Sequence, residues 1–453
     1  MFKTIFNAWK VKDIRTKLLY TLLLIVVYRL GSFIPVPGVD AAALGKLVSQ
    51  YDFLNFLDLF SGGSLSQFSI FAMGISPYIT GSIIMQLLTI AIPSLEKLSK
   101  EEDGAKKIEN ITRYVGVGLA LIQSVSIVVG LNSASGNLLK QTTIFGTSGF
   151  GVFMNGIVPY ITVGFCCTAG TAFLMWLGER ITEKGIGNGV SILIFASIVS
   201  SVPQVVINLI NGTFHIKPVV IGNSVVLALE WWYALVVILV VLVLTMGIIM
   251  VDRAVRRIPV QYAKRVVGRK TYGGSSTHIP LKANANGVMP LIFAMTILQV
   301  PAMFGQFWPN GKFNAFVSKY LSASSTNVAG LIIYYVLYAL MIVGFAYFYS
   351  SITFNPVEIS KNLQQNGGFI PGIRPGRNTS DYLLKKCNRL TMFGALFLMV
   401  IAIIPTLLLR ILNINILSAF GPTSILIMIS VSLEIAEQLD SLMLMRTYKG
   451  FLG

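Results

Sequence analysis

Charge is what this sequence has least of. Only 12% of its residues are Asp, Glu, Lys or Arg, against about 25% in an ordinary soluble domain. The chain has 453 residues and is 54% apolar, so most of its length cannot face water. Disorder is excluded by the same figures, because disordered chains are polar and poor in aromatics. Cysteine is scarce as well. Cys166, Cys167 and Cys387 are too few for a disulfide framework, and the adjacent pair sits in an apolar run as small packing residues. The two histidines, His215 and His278, stand in no metal-binding spacing. No catalytic set, metal site or cofactor is expected. What remains is an integral membrane protein that crosses the bilayer many times.

A helix crosses the hydrocarbon in about 20 apolar residues. Ten such stretches are present, at 18–33, 70–92, 114–129, 153–177, 189–210, 231–251, 288–307, 329–352, 390–409 and 421–433. The first follows Lys10, Lys12, Arg15 and Lys17 and precedes Ala41–Ala43, as a cleaved signal peptide would. Its apolar run exceeds the usual length of about 7–15 residues and Pro35-Val-Pro37 intervenes, so it is expected to be a retained span. Ten spans put both ends on one side. On that side lie 28 of the 35 Lys and Arg, and the other side has 7. Basic residues collect in the cytoplasm, so both termini are expected there.

The spans themselves lack ionisable groups. Arg29 lies near the outer end of the first, and Glu434, Glu437 and Asp440 lie at the inner end of the last. Ion-coupled carriers need charge at mid-membrane, and a membrane-embedded enzyme needs paired acids or a nucleophile with its base. Neither is visible, which leaves a secondary transporter of small solutes as the weaker alternative to a channel. A pathway gated by apolar side chains needs no such groups. Three amides, Gln86, Gln123 and Gln299, read as helix-to-helix hydrogen bonds. No phosphate-binding loop occurs: Gly45-Lys46 is followed by Leu47 and Gly311-Lys312 by Phe313. Any work must be powered by a partner. Two long cytoplasmic connections, 252–287 and 353–386, mix arginine with aromatic, proline and glycine residues. They read as docking surfaces for RNA phosphates or an acidic protein, or as contacts to anionic headgroups.

The motifs are specific. FIPVPGVD at 33–40, SGGSLSQFSIFAMGISPYITGSIIMQLL at 61–88 and GERITEKGIGNGVSILIF at 178–195 are followed by RRIPVQYAKR at 256–265, STHIPLKANANGVMP at 276–290 and NPVEISKNLQQNGGFIPGIRPG at 355–376. In this order and across most of its length, the chain resembles the SecY/Sec61-alpha family, the channel subunits of protein translocases. The resemblance implies an all-α polytopic membrane protein of ten transmembrane helices. Two inverted-repeat halves, 1–210 and 211–453, would close like a clamshell around an hourglass pore. It implies a waist of Ile79, Ile83, Val190, Ile194, Ile292 and Ile427, with valine at 190 where isoleucine is common. The pairs Ile79/Ile83 and Val190/Ile194 each share a helix face. It implies a plug, expected as a short helix, at Ser61-Gly62-Gly63-Ser64-Leu65-Ser66-Gln67-Phe68-Ser69-Ile70-Phe71-Ala72. It implies cytoplasmic contacts through Arg256, Arg257, Lys264, Arg265 and Arg374, and a lateral gate with Gln86, Gln123 and Gln299 as its candidate polar residues. The partners it implies are SecE, SecG, the SecA ATPase, the ribosome, signal-sequence-bearing polypeptides and membrane lipid, all at a bacterial plasma membrane.

Overall fold

The computed structural model describes residues 9–37, 39, 58, 61–99, 101, 103–135, 150–214, 217–221, 224–228, 231–262, 265–267, 270–272, 276–284, 287–305, 311–322, 325, 327–411 and 422–449. A helix lies at each apolar stretch: α1 Lys12–Gly31, α2 Ser76–Ala91, α3 Gly104–Ser135, α4 Phe150–Lys184, α5 Gly189–Phe214, α6 Trp231–Asp252, α7 Met289–Gly305, α8 Val328–Thr353, α9 Arg377–Ile411 and α10 Pro422–Lys449. Among the described residues four helices are long and apolar enough to cross a membrane, or five if α2 and the short helix Pro93–Ser99 count as one bent span. Local chemistry sets the ends of α2. Pro77 opens it with φ already in the helical range, and Ile92, which precedes Pro93, is forced into extended backbone. The chain bends there by 104°. Long apolar side chains face outward, among them Leu239, Leu242, Val243 and Met246 on α6 and Ile332, Val336 and Leu340 on α8. In water such a surface is an aggregation liability; in lipid it is the solvated face.

The chain divides into two compact units, and neither is contiguous. The first comprises Met1–Ala234, Thr296–Tyr334 and Ile414–Gly453. Its helices approach closely through glycine. A Cβ on Gly81 of α2 would stand 3.1 Å from the Gly116 Cα of α3, and one on Gly189 would stand 1.8 Å from the Gly178 carbonyl of α4. Small residues at such crossings let dispersion act between backbones where no hydrophobic force drives association. At their charged ends α3 and α4 are joined by Arg113 Nε, which donates to the Glu179 carboxylate.

The second unit comprises Leu235–Met295 and Tyr335–Asn413. It corrects the all-α expectation, since the connection 252–287 is folded as strands. Counting β1 Lys217–Ile221 and β2 Ser224–Ala228 in the first unit, the strands here are β3 Val255–Tyr262, β4 Arg265–Val267, β5 Lys270–Tyr272, β6 Ser276–Lys282 and β7 Gly368–Phe369. An antiparallel sheet runs in the order β6-β3-β7. Its reason is a period of two: Ile258 and Val260 are buried while Arg257, Pro259 and Gln261 are exposed. With Leu281, Ile370 and Leu383 they form a small core, against which Ile359 and Leu363 of the helix Pro356–Gln365 pack. The connections 252–287 and 353–386 therefore contribute to one folded body.

Candidate functional site

Among the described residues of the first unit, the segment 61–75 is a largely non-helical stretch, and much of it is deeply buried. It was expected as a helix; beyond Ser61 it is a run of turns. The physical reason is its backbone. Gly62 (φ 67°), Gly63 (φ 81°) and Phe68 (φ 45°) lie in the left-handed region, which a right-handed helix cannot contain, and Phe68 is strained there by about 1–2 kcal/mol. Packing offsets that strain. Leu65, Phe68, Ala72 and Met73 are buried with Val36, Ile127, Val128, Val163 and Cys167. Each large side chain so placed is worth about 1.5–3 kcal/mol relative to water.

Polar groups moor the segment. Tyr28 Oη on α1 donates to the Ser61 carbonyl at 3.0 Å and lies 2.6 Å from Ser197 Oγ on α5. Arg29 Nη1 donates to the Gly62 carbonyl at 2.8 Å. The Asp58 carboxylate accepts from Ser66 N–H at 2.8 Å; burial pushes its pKa above the ordinary carboxylate value and the Ser66 amide opposes this. Beyond α1, Val36 N–H donates to Phe68 O at 2.9 Å and Ile70 N–H to Ile34 O at 3.0 Å, a scrap of sheet around the Pro35–Ser69 bridge. The Phe71 ring stacks on Tyr28 at 6.0 Å and on Phe173 at 5.9 Å. Two glycines make room. A Cβ on Gly31 would meet the Phe71 ring at 2.1 Å, and one on Gly170 would meet the Ile70 carbonyl at the same distance. The Ser69 hydroxyl is buried with no hydrogen-bond partner among the described residues, which costs about 1–3 kcal/mol. The segment is thus firmly but not maximally held.

Of the six waist residues, Ile79, Ile83, Val190, Ile194 and Ile427 belong to the first unit and Ile292 to the second. All but Val190, which is half-buried, are buried. Burial removes the lipid-facing reading for those five. Gln123 is buried, and Gln86 and Gln299 are half-buried. Gln86 Nε2 reaches Ser82 Oγ of its own helix at 3.4 Å.

In the second unit Arg256, Arg257 and Arg374 are exposed. Lys264 and the side chain of Arg265 lie outside the described residues. Arg374 tops a turn fixed on both flanks. Gly372 (φ 80°) and Gly376 (φ 96°) take left-handed backbone. Ile370 and Ile373 insert into the core beneath. Thr379 Oγ1 donates to the Arg374 carbonyl at 2.9 Å and Ser360 Oγ to the Gly376 carbonyl at 2.6 Å. The guanidinium stands on a rigid base rather than on a loose loop.

A family model described as SecY matches residues 69–436. The chain belongs to the SecY family. It is 44% identical over 452 residues to the protein translocase subunit SecY of Streptomyces coelicolor, covering 98% of both chains. In fold it is similar to a solved protein-conducting channel, with a TM-score of 0.61 at 18% identity over 93% of this chain and 91% of that one. It is also similar to Sec61 in the canine ribosome–channel complex from the endoplasmic reticulum, with a TM-score of 0.57 at 17% identity and the same coverage.

Sequence reasoning missed the moorings of this SecY-family chain. Arg29 carried a signal, since a charge at membrane depth needs a partner, and Gly62 is that partner. Tyr28 and Ser197 carried none, being an ordinary aromatic and an ordinary hydroxyl until the fold joins them.

Proposed function

We propose that this chain is the channel through which unfolded secretory polypeptides cross a bacterial plasma membrane, and from which transmembrane segments pass sideways into lipid. The observation that carries the reading is the segment 61–75: a run of turns, buried in an apolar core yet held by a few replaceable hydrogen bonds. That is the make-up of a removable seal. In this reading ten spans form two halves, 1–210 and 211–453, with both termini in the cytoplasm. Ile79, Ile83, Val190, Ile194, Ile292 and Ile427 meet at one depth as the waist, Ser61–Ala72 plugs it, and Gln86, Gln123 and Gln299 belong to the lateral gate. The sheet and turn bearing Arg256, Arg257 and Arg374, together with Lys264 and Arg265, dock SecA or the translating ribosome, while SecE and SecG complete the membrane complex. Such a chain catalyses no reaction; its partners supply the energy.

The test is reconstitution. The chain, with a small SecE-like subunit in proteoliposomes, should protect a signal-bearing precursor from external protease only when SecA and ATP are present. Protection without the motor, or none with it, would sink the reading.

A further inference from the structure

Strand β3 is paired along the length of one edge by β6 and at only two residues of the other by β7. The Ala283 N–H donates to the Ala254 carbonyl at 2.8 Å, so the even-numbered residues here turn their backbone groups toward β6. Antiparallel residues alternate, so Val255, Arg257 and Pro259 turn theirs the other way. The prolines agree: Pro259, and Pro280 opposite Arg257, fall where the β3–β6 ladder needs no N–H. On the second edge β7 reaches only Gln261 and Tyr262. Among the described residues no strand continues it back to Val255. The N–H groups of Val255 and Arg257 and the carbonyls of Val255, Arg257 and Pro259 thus form an open edge, and all three residues are exposed. Such an edge is a template for another chain.

We propose that this edge accepts an extended acidic segment of a partner protein as an added β-strand, in line with β7. Main-chain bonds would supply affinity and alternate side chains the choice of partner. The charge fits an acidic guest. Arg256 and Arg257 are exposed on opposite faces of β3, with Arg253 exposed just before them, so carboxylates on either face of the guest meet a guanidinium. An RNA duplex offers phosphates but no complementary row of N–H and C=O groups. The inference rests on the reading of this unit as a docking surface and specifies its chemistry.

The experiment uses the full chain in lipid nanodiscs and a fluorescein-labelled octapeptide of alternating valine and glutamate, followed by fluorescence anisotropy. A second peptide has the same sequence with its backbone amides methylated, which keeps every charge and removes the donors. Methylation is expected to weaken binding about tenfold, since two or more main-chain hydrogen bonds are lost. The parent peptide should also slow hydrogen exchange at Val255 and Arg257. Arg256→Glu with Arg257→Glu should weaken it comparably; the two peptides on the unaltered chain decide the matter if that variant does not insert. Equal binding of both peptides overturns strand addition while leaving docking by charge intact. Binding of duplex RNA in place of the peptide, with no saturable peptide binding, overturns it too.

Discussion

Arg374 is held by its neighbours rather than by its own contacts. Ile370 and Ile373 anchor the turn, and Thr379 and Ser360 tie its carbonyls, so the side chain is free to serve a partner. Arg374→Glu should therefore change stability by no more than about 0.5 kcal/mol and lower SecA-driven transport at least about tenfold, a loss of about 1.4 kcal/mol. Arg374→Lys should recover only part, because an ammonium cannot make two parallel bonds to a carboxylate or phosphate. Transport assays beside a melting curve separate the two effects, and normal transport by the glutamate variant would remove the docking role. Asp58 makes a prediction of a different kind. Burial raises its pKa above the ordinary 3.8, so the seated segment binds that proton more tightly than a withdrawn, hydrated one. Seating is then strongest below 3.8 and weakens as pH rises through the raised value. Resting ion conductance in a planar bilayer should accordingly rise as the pH climbs above 3.8, and Asp58→Asn should flatten the profile.

The elements differ in how much of them the residues announce. The membrane helices are legible because about 20 consecutive apolar residues have few other uses. Their charged ends are not: α3 begins at Gly104 and α9 at Arg377, and these first turns carry no apolar run to mark them. β3 was visible in principle, since VRRIPVQY alternates, but its arginines drew the reading toward charge. The turns at 61–75 were not legible, because Phe68 adopts left-handed backbone through contacts with Val36 and Val163 that lie far off in the chain. The waist residues were identified by motif, and their burial leaves packing or sealing as their work. Replacing Ile83 and Ile194 together by Asn should raise resting conductance, since each buried isoleucine lost costs about 2–5 kcal/mol in a packed site, enough to shift a closed-to-open balance of a few kcal/mol. The same variant should accept poorer signal sequences, and an unchanged leak would sink the ring. Gly170→Ala asks the same of the seat. Its Cβ would press on the Ile70 carbonyl at 2.1 Å, and overpacking of about 1–3 kcal/mol should unseat the segment and give a leak of similar sign.

At the scale of the whole molecule the proposed ten-span topology places 28 Lys and Arg on one side and 7 on the other, and that imbalance predicts the orientation. A reporter fused after residue 453 should be active in the cytoplasm, and activity on the outer side would overturn both the ten-span count and the sidedness. The position of segment 61–72 also bears on time. Only residues 73–75 separate it from the first turn of α2, so it never leaves its own tether. Reseating is a first-order step of a short chain, and a loop of about ten residues closes in about 10–100 ns. A ribosome adds a residue only every ~50–200 ms. If the segment is the plug proposed above, the interval in which a vacated pore stands empty is shorter than one elongation step by about six orders of magnitude. On the same reading the bonds to Tyr28 and Arg29 would lengthen the wait before opening and leave the speed of closing untouched, so the membrane would be exposed to leakage for the length of each passage and hardly at all afterwards.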